Sequence, residues 1–274
     1  MTPRSVAAIT SRGCRRHANE DTVGVAGAVL TGEPALPLGS VLDGAGPFAM
    51  VVADGMGGHP HGALASREVV CELMADPARL ATPEGCSAAI RQAHLRLHEL
   101  MLRRPETMTM GSTVAGVAVL GDAFCWFNVG DSRIYRLREG RLEQLAHDDR
   151  RGATSSDTGR ASHEILQCLG GQRAIAPIDP HAGTGVLLPG DGLLVCSDGL
   201  TDMVADESIA ALLHAAGDVS AAAMLLLHAA LQAGGRDNVT AIVVAVQGQD
   251  ADSDVDEDTT PRENVNGSSG ESRS

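Results

Sequence analysis

Acidic residues recur along this 274-residue chain at one kind of position, beside glycine at one end of a short apolar segment. The aspartates that share this setting are Asp54, Asp131, Asp198 and Asp237. An acidic pair, Glu20 and Asp21, precedes a further apolar stretch at residues 23–30. Carboxylates at strand ends can converge on one edge of a sheet, where like charges a few Å apart raise one another's pKa.

Such a cluster of carboxylates needs a positive partner, either arginine or a hard divalent cation. Only Arg133 and Arg236 lie close to these aspartates in the sequence. Oxygen ligands without histidine or cysteine at matching spacing favour Mg²⁺, Mn²⁺ or Ca²⁺ over Zn²⁺. Each aspartate taken alone is better explained as a turn residue, because aspartate is common in turns. Four of them in similar contexts favour a metal centre.

The absence of lysine excludes several other kinds of chemistry. All 21 basic side chains of the chain are arginine. The phosphate-binding loop of Walker-type proteins requires a lysine, as does the nucleotide-binding strand of protein kinases. A Schiff base with pyridoxal phosphate also forms on a lysine. Kinase and ATPase functions are therefore excluded.

The apolar pattern predicts mostly strands joined by tight turns. Strands are predicted at residues 48–53, 113–120, 123–129, 133–138, 142–145, 185–188, 193–196 and 239–246. Two pairs of helices are predicted, at residues 62–75 with 84–103 and at residues 206–216 with 219–233. Turns such as Gly121-Asp122 indicate hairpins, and one hairpin is predicted between the strands at 185–188 and 193–196. The predicted fold class is α+β, with two stacked antiparallel sheets and paired helices outside them.

The composition is that of a globular protein with an acidic bias. Hydrophobic residues make up 43% of the chain and aromatic residues 2%, so aliphatic side chains must build the core. The net charge of −14 argues against nucleic acid or a membrane surface as partner, because both attract excess cations. Residues 249–274 contain eight acidic residues and almost no apolar ones, which predicts a disordered acidic tail.

The sequence also indicates a location. No apolar run approaches the roughly 20 residues of a membrane-spanning helix, and residues 1–16 contain no apolar signal segment. The six cysteines are scattered, without a C-x-x-C pair, and are expected to be reduced thiols. We therefore expect a cytoplasmic protein, and a monomer.

Six segments in a fixed order resemble a known family: RGCRRHANED (12–21), DGMGGH (54–59), MGST (110–113), VGDSR (129–133), LLPGDGLLVCSDGLTDMV (187–204) and GGRDNVTAIVV (234–244). The family is that of the metal-dependent protein phosphatases of the 2C type, in their bacterial form. Any one segment alone would be weak support, because glycine-rich turns with aspartate are common. The resemblance implies that residues 1–248 form one phosphatase catalytic domain, an α-β-β-α sandwich.

The resemblance implies a set of metal ligands for two ions, Mn²⁺ or Mg²⁺. Asp54 would bridge the ions, and the backbone carbonyl of Gly55 would bind one of them. Asp198 and Asp237 would complete the other.

The resemblance assigns further roles around this pair of ions. Asp131, together with Asp198, would form a third and weaker metal site. Glu20 and Asp21 would act through water, and Arg16 would bind the phosphate group with its planar, permanently charged side chain.

The implied reaction is hydrolysis of phosphoserine and phosphothreonine monoesters in proteins. A metal-bridged hydroxide would attack phosphorus without a covalent intermediate. A cysteine-based phosphatase would need C-x5-R, and none of the six cysteines has arginine six positions on. No G-x-S-x-G serine motif occurs either. The expected partners are phosphorylated proteins and the pathway of a cognate serine/threonine kinase, whose action the enzyme would reverse.

The general acid for the leaving group is one departure from the family pattern. Met56 stands where eukaryotic relatives have a histidine. His59, His61 or water are left as candidates for this role.

A second departure is the flap, residues 148–168, which is shortened and lacks its usual helix. The flap arginines Arg150, Arg151 and Arg160 either attract phosphopeptides or keep a loop soluble, and the second interpretation is slightly favoured.

Two rival functions stay open. One is a phosphatase-like binding or sensor module without catalysis, which the presence of every ligand position and of Arg16 disfavours. The other is hydrolysis of a small phosphorylated metabolite on the same scaffold.

Overall fold

The structure, a computed structural model, describes residues 3–42, 47–57, 61–151 and 164–246. Its strands are β1 Arg4–Ser11, β2 Thr22–Val25, β3 Ala28–Thr31, β4 Leu38–Leu42, β5 Phe48–Ala53, β6 Gly55–Met56, β7 Gly111–Ser112, β8 Val114–Leu120, β9 Ala123–Val129, β10 Arg133–Arg138, β11 Arg141–Gln144, β12 Leu169–Gly170, β13 His181–Val186, β14 Gly192–Cys196 and β15 Val239–Val246. Its helices are α1 His61–Met74, α2 Pro83–Arg103, α3 Asp198–Thr201, α4 Asp206–Ala215 and α5 Val219–Gln232. The acidic tail predicted at residues 249–274 and the middle of the predicted flap lie outside the described residues.

Two six-stranded sheets form the centre of the fold. The first has the strand order β11-β10-β14-β15-β1-β4, and the second has the order β13-β9-β8-β5-β2-β3. Neighbouring strands within each sheet are antiparallel. A small third sheet has the order β12-β7-β6. The predicted fold class is therefore confirmed.

Alternation along the strands separates three layers of core. In β5, Met50 and Val52 face the other sheet, whereas Val51 packs toward α1 and α2. In β15, Ile242 faces the other sheet and Val243 packs toward α4 and α5. Because successive side chains point to opposite faces of a strand, a continuous apolar run is buried on both sides.

Helices α2 and α5 each begin after a residue whose side chain accepts a hydrogen bond from a free backbone N–H group. The Thr82 hydroxyl accepts a hydrogen bond from the Gly85 amide at 3.1 Å, and Pro83 follows at the first helical position of α2. Asp218 accepts from the Ala221 amide at 2.8 Å at the start of α5. Both predicted helix pairs are confirmed, with ends that differ by at most one residue.

The predicted hairpin between residues 185–188 and 193–196 is wrong. Strand β13 pairs with β9 in the second sheet, whereas β14 pairs with β10 and β15 in the first. The connection crosses between the sheets, and Arg138 fixes it by donating to the Val186 carbonyl at 2.8 Å and to Asp191 at 2.6 Å. Strands β1 and β4 and the hairpin of β2 with β3 were not predicted.

Among the described residues, no helix combines the length and the apolar character needed to cross a lipid bilayer.

The core beside α2 gives a test of the packing. Phe127 is fully buried, and its ring lies over Gly116, where a Cβ would come within 2.4 Å of it. We expect Phe127→Ala to lower the free energy of unfolding by about 3–5 kcal/mol, because glycine cannot fill the cavity. Urea unfolding measures this change. Leu120→Ala, at a side chain 53% exposed on the neighbouring strand, is the control and should stay within about 1 kcal/mol of wild type. Equal losses in both variants would contradict the described core.

Candidate functional site

The registers place the relevant strand ends at one end of the sandwich. In the second sheet, Ala53 at the end of β5 pairs with Thr22 at the start of β2. In the first sheet, Cys196 at the end of β14 pairs with Ala241 near the start of β15. The predicted aspartates lie within two residues of such strand ends: Asp21, Asp54, Asp131, Asp198 and Asp237.

These aspartates share one pocket. Burial raises the pKa of Asp54 well above its usual range, and the charges of Asp21, Asp198, Asp237 and Asp131 raise it further, in that order. Such mutual effects require close approach, since exposed charges farther apart are screened. The structure therefore brings together the carboxyl groups that the sequence analysis selected.

Asp21 connects the two sheets at the base of this pocket. Its Oδ2 accepts from the Ser197 hydroxyl at 2.9 Å and from the Thr240 hydroxyl at 2.6 Å. Burial raises the pKa of Asp21 to about 6, although these two hydrogen bonds lower it, and Asp237 raises it. Asp21 thus accepts hydrogen bonds directly from two protein hydroxyl groups. The sequence had led us to expect a role for Asp21 through bound water.

Glu20 lies beside the start of α1. Its amide donates to the Asn238 side chain at 2.8 Å, and its carbonyl accepts from the Ser66 hydroxyl at 2.5 Å. A Cβ at Gly62 would come within 2.0 Å of its Oε2, so the carboxylate needs glycine there.

Two further glycines permit the close approach of the site loops. A Cβ at Gly55 would come within 2.2 Å of the Gly62 carbonyl oxygen, and one at Gly199 within 1.8 Å of the Asn238 carbonyl oxygen. Any side chain at either position would push apart segments that hold the carboxylates.

Arg16 stands at the rim of the pocket. It donates to Asp237 Oδ2 at 2.5 Å, and its side chain is 56% exposed. The pKa of Arg16 is raised by the hydrogen bond to Asp237, against the effect of burial, and Asp54 and Glu20 add to it. The guanidinium is therefore near the centre of the cluster and open to solvent.

Asn238 positions the segment that contains Arg16. Its side-chain amide donates to the carbonyls of Arg12 at 3.1 Å and of Ala18 at 2.9 Å. The Cys14 amide donates to the Gly235 carbonyl at 2.8 Å. Asn238 was not among the predicted site residues, although its place in the GGRDN motif was a signal.

Arg150 lies on the other side of the cluster and bonds three carboxylates. It donates to Asp131 at 2.6 Å, to Asp198 at 2.7 Å and to Asp202 at 2.9 Å. Burial lowers its pKa, but Asp131 and Asp202 outweigh this effect and raise it, so the side chain stays charged. The interpretation of Arg150 as a solubilising loop residue is therefore wrong.

The other flap arginines differ from Arg150. Arg151 is exposed and contacts Glu164 at 3.3 Å, and Arg160 lies outside the described residues. Asp202 was not predicted as a site residue either, although it lies four residues after Asp198 and thus on the same face of a helical turn.

The positive charge of Arg150 does not fully offset the effect of burial on the pKa values of Asp198 and Asp131. Burial, Asp131 and Asp202 raise the pKa of Asp198 to about 8, although Arg150 lowers it. Burial also raises the pKa of Asp131, and Arg150 offsets only part of this increase. The Oδ1 atoms of Asp21, Asp131 and Asp198 are buried without a hydrogen-bond partner within the described part of the chain.

A hard dication would relieve this repulsion, because carboxylate oxygens are its preferred ligands. No three His, Cys, Asp or Glu side chains in the described ranges are spaced to hold a metal ion as they stand. The carboxylates nevertheless lie around shared cations, since Arg150 bonds both Asp131 and Asp198 and Arg16 bonds Asp237. The residues around Asp54 fit a divalent metal.

The candidates for the general acid are not separated by the geometry. His61 is the first residue of α1, and His59 lies outside the described residues. Met56 lies in β6, paired with Gly111. His59, His61 and water all stay predictions.

Comparisons with known proteins agree with this fold. Residues 38–230 match the protein phosphatase 2C family. The serine/threonine protein phosphatase PstP of Mycobacterium tuberculosis is 33% identical over 219 residues, which cover 74% of this chain and 41% of that protein. The chain thus spans about two fifths of the length of this relative. The serine/threonine phosphatase Stp of Listeria monocytogenes is 30% identical over 253 residues, which cover 86% of this chain and 93% of that protein.

Solved structures give the same result. The Mycobacterium tuberculosis phosphatase PstP/Ppp superposes with a TM-score of 0.73 at 29% identity. The match covers 90% of this chain and 100% of that structure. The catalytic domain of PstP in complex with two manganese ions superposes with a TM-score of 0.71 at 30% identity, covering 90% and 100%.

The raised pKa of Asp21 gives a pH test in EDTA. Its folded pKa of about 6 lies above the unfolded value of roughly 3.9, so the folded state retains a proton that the unfolded state releases. Its contribution to stability is therefore fully present below about pH 4 and lost as the pH rises through about 6. Asn mimics the protonated form, so we expect Asp21→Asn to gain stability relative to wild type between about pH 4 and about pH 7. Thermal unfolding of both proteins measures the difference.

Comparing the two proteins removes contributions that they share, including those of His94 and His98, whose pKa values burial lowers. Asp179→Asn, at a side chain 96% exposed, is the matched control and should follow wild type at every pH. A stability difference between Asp21→Asn and wild type that does not change with pH would contradict the described burial.

Proposed function

Because the chain belongs to the protein phosphatase 2C family, we propose that it hydrolyses phosphoserine and phosphothreonine monoesters in other proteins. The observation that supports this most is a buried cluster of aspartates around Asp54 with the exposed Arg16 at its rim. The cluster favours divalent cations and the arginine favours an anion. A phosphate monoester needs both, because hydrolysis requires a nucleophile and neutralisation of negative charge.

The proposed metal ligands are Asp54, the Gly55 carbonyl, Asp198 and Asp237, for two ions of Mn²⁺ or Mg²⁺. Bound there, the ions supply ionised water at neutral pH and neutralise charge on the phosphate. The mycobacterial relative with two manganese ions supports this number. The Oδ1 of Asp198 is buried and free of a hydrogen bond among the described residues, as a ligand atom should be.

Arg16 is the proposed phosphate-binding group. Its guanidinium is planar and permanently charged, so it can donate to two phosphate oxygens at once. The contact with Asp237 orients it toward the cluster, and more than half of its side chain is exposed, at 56%. Asp21 and Glu20 have a positioning role in this proposal, because they bind Ser197, Thr240 and the start of α1.

We also propose the organisation and setting of the protein. Residues 1–248 form the catalytic domain, with 148–168 as a shortened flap and 249–274 as an acidic tail; the end of β15 at Val246 supports this boundary. The substrates are phosphorylated proteins of a serine/threonine kinase pathway. The six cysteines are free, which supports a cytoplasmic location, and the proposed state is a monomer.

Loss of the central ligand is the main test. We expect Asp54→Asn to release phosphate from a phosphothreonine peptide more than about 100-fold more slowly than wild type in Mn²⁺, because metal ligation is lost. EDTA should abolish wild-type activity, and added Mn²⁺ should restore it. Asp179→Asn, an exposed aspartate outside the pocket, is the control and should keep wild-type activity.

The same assay separates the rival functions. Faster hydrolysis of small phosphorylated metabolites than of phosphopeptides would replace the proposed substrate class. Binding of Mn²⁺ without phosphate release would favour a sensor module. Activity that survives both EDTA and Asp54→Asn would contradict the proposal.

Arg16 gives a second prediction. Arg16→Ala should lower kcat/KM for the phosphopeptide about 10- to 100-fold, because charge-assisted hydrogen bonds contribute about 1.5–3 kcal/mol. Arg12→Ala is the matched control, since Arg12 lies on the same segment, is 50% exposed and faces Glu33 instead. Initial rates over a range of peptide concentrations measure the effect. Equal losses in both variants would remove the proposed role of Arg16.

A further inference from the structure

The cluster on the flap side of the pocket already contains a cation. The three nitrogens of the Arg150 guanidinium each donate to a different carboxylate: Nε to Asp131, Nη2 to Asp198 and Nη1 to Asp202, at 2.6, 2.7 and 2.9 Å. The Arg150 side chain is only 16% exposed. Three hydrogen bonds of this kind fix both the position and the plane of the guanidinium.

The backbone around Arg150 holds it in this place. Arg150 forms an antiparallel bridge with Ile165, and the Leu166 amide donates to the Asp149 carbonyl at 2.7 Å. The Asp149 side chain accepts from the Gly130 amide at 2.9 Å and contacts His181 at 2.9 Å. Both described ends of the flap are therefore tied to the strand ends that hold the cluster.

We infer that Arg150 is the resident cation of the cluster formed by Asp131, Asp198 and Asp202, and that it occupies the place of the third metal ion predicted at Asp131 and Asp198. This inference would replace the third metal site implied for Asp131 and Asp198, and the three contacts of Arg150 support it.

Charge explains why the two cations exclude each other. A dication bound to Asp131 and Asp198 would lie a few Å from the guanidinium, and like charges repel strongly where solvent is excluded. Binding would therefore require Arg150 to leave, with the loss of three charge-assisted hydrogen bonds. Asp198 uses Oδ2 for Arg150 and has Oδ1 free of a hydrogen bond within the described chain, so its role in the proposed two-ion site is unaffected.

The number of bound ions tests the inference, which rests on the proposed function only for the two ions near Asp54. We would equilibrate wild type, Arg150→Met and Arg151→Met with Mn²⁺ and count the ions per chain by elemental analysis. Methionine keeps an unbranched side chain and removes the charge. Arg151 is the matched control, because it is the adjacent arginine and its side chain is 60% exposed. We expect two ions in wild type and Arg151→Met, and three in Arg150→Met.

Stability in EDTA is the second readout, and it does not depend on activity. Arg150→Met should unfold at a lower temperature than Arg151→Met, because buried carboxylates lose their counterion. In EDTA, Asp131→Asn in the Arg150→Met background should recover part of this loss. Saturating Mn²⁺ in place of EDTA should also recover part of the loss in Arg150→Met.

The possible outcomes separate the two proposals. Three ions in wild type, two ions in Arg150→Met, or equal stability of both methionine variants in EDTA would each overturn the inference and leave the proposed phosphatase function in place. No ion bound by wild type would overturn the proposed function, and the recovery by Asp131→Asn in EDTA would still support Arg150 as the resident cation.

Discussion

The structure depends on holding like-charged carboxyl groups together away from water. Burial and the charges of four other aspartates all raise the pKa of Asp54. Such a cluster persists only where the backbone is fixed independently. Here the strands that end at the site are packed on both faces, by the core between the sheets and by the cores under the two helix pairs. The apolar layers thus set the distances between the acidic groups.

Arginines neutralise the cluster on opposite sides and in opposite ways. Arg16 is exposed and donates to Asp237, so an incoming anion can reach its other N–H groups. Arg150 is buried and divides its N–H groups among three carboxylates, so it has little left to offer a ligand. The pocket is therefore asymmetric, with an exposed arginine on one side and a buried arginine bonded to three carboxylates on the other.

Much of this arrangement follows from the sequence, and the remainder shows the limits of local patterns. The run at residues 48–53 is apolar on both faces, which predicts a central strand and places Asp54 at its end. The crossing between β13 and β14 was missed because the turn residues 189–192 are equally typical of a hairpin. The partners of Arg150 lie 19, 48 and 52 positions away, and no helical or strand period relates such separations.

The pairing of the first strand with the last also constrains how the protein is made. β1 pairs along its whole length with β15, and Asn238, just before β15, binds the backbone of the segment that contains Arg16. A chain growing on the ribosome therefore lacks both the anchor for Arg16 and the carboxylate of Asp237 until nearly all of these 246 residues have emerged. Partial translation products that lack β15 therefore cannot assemble the pocket.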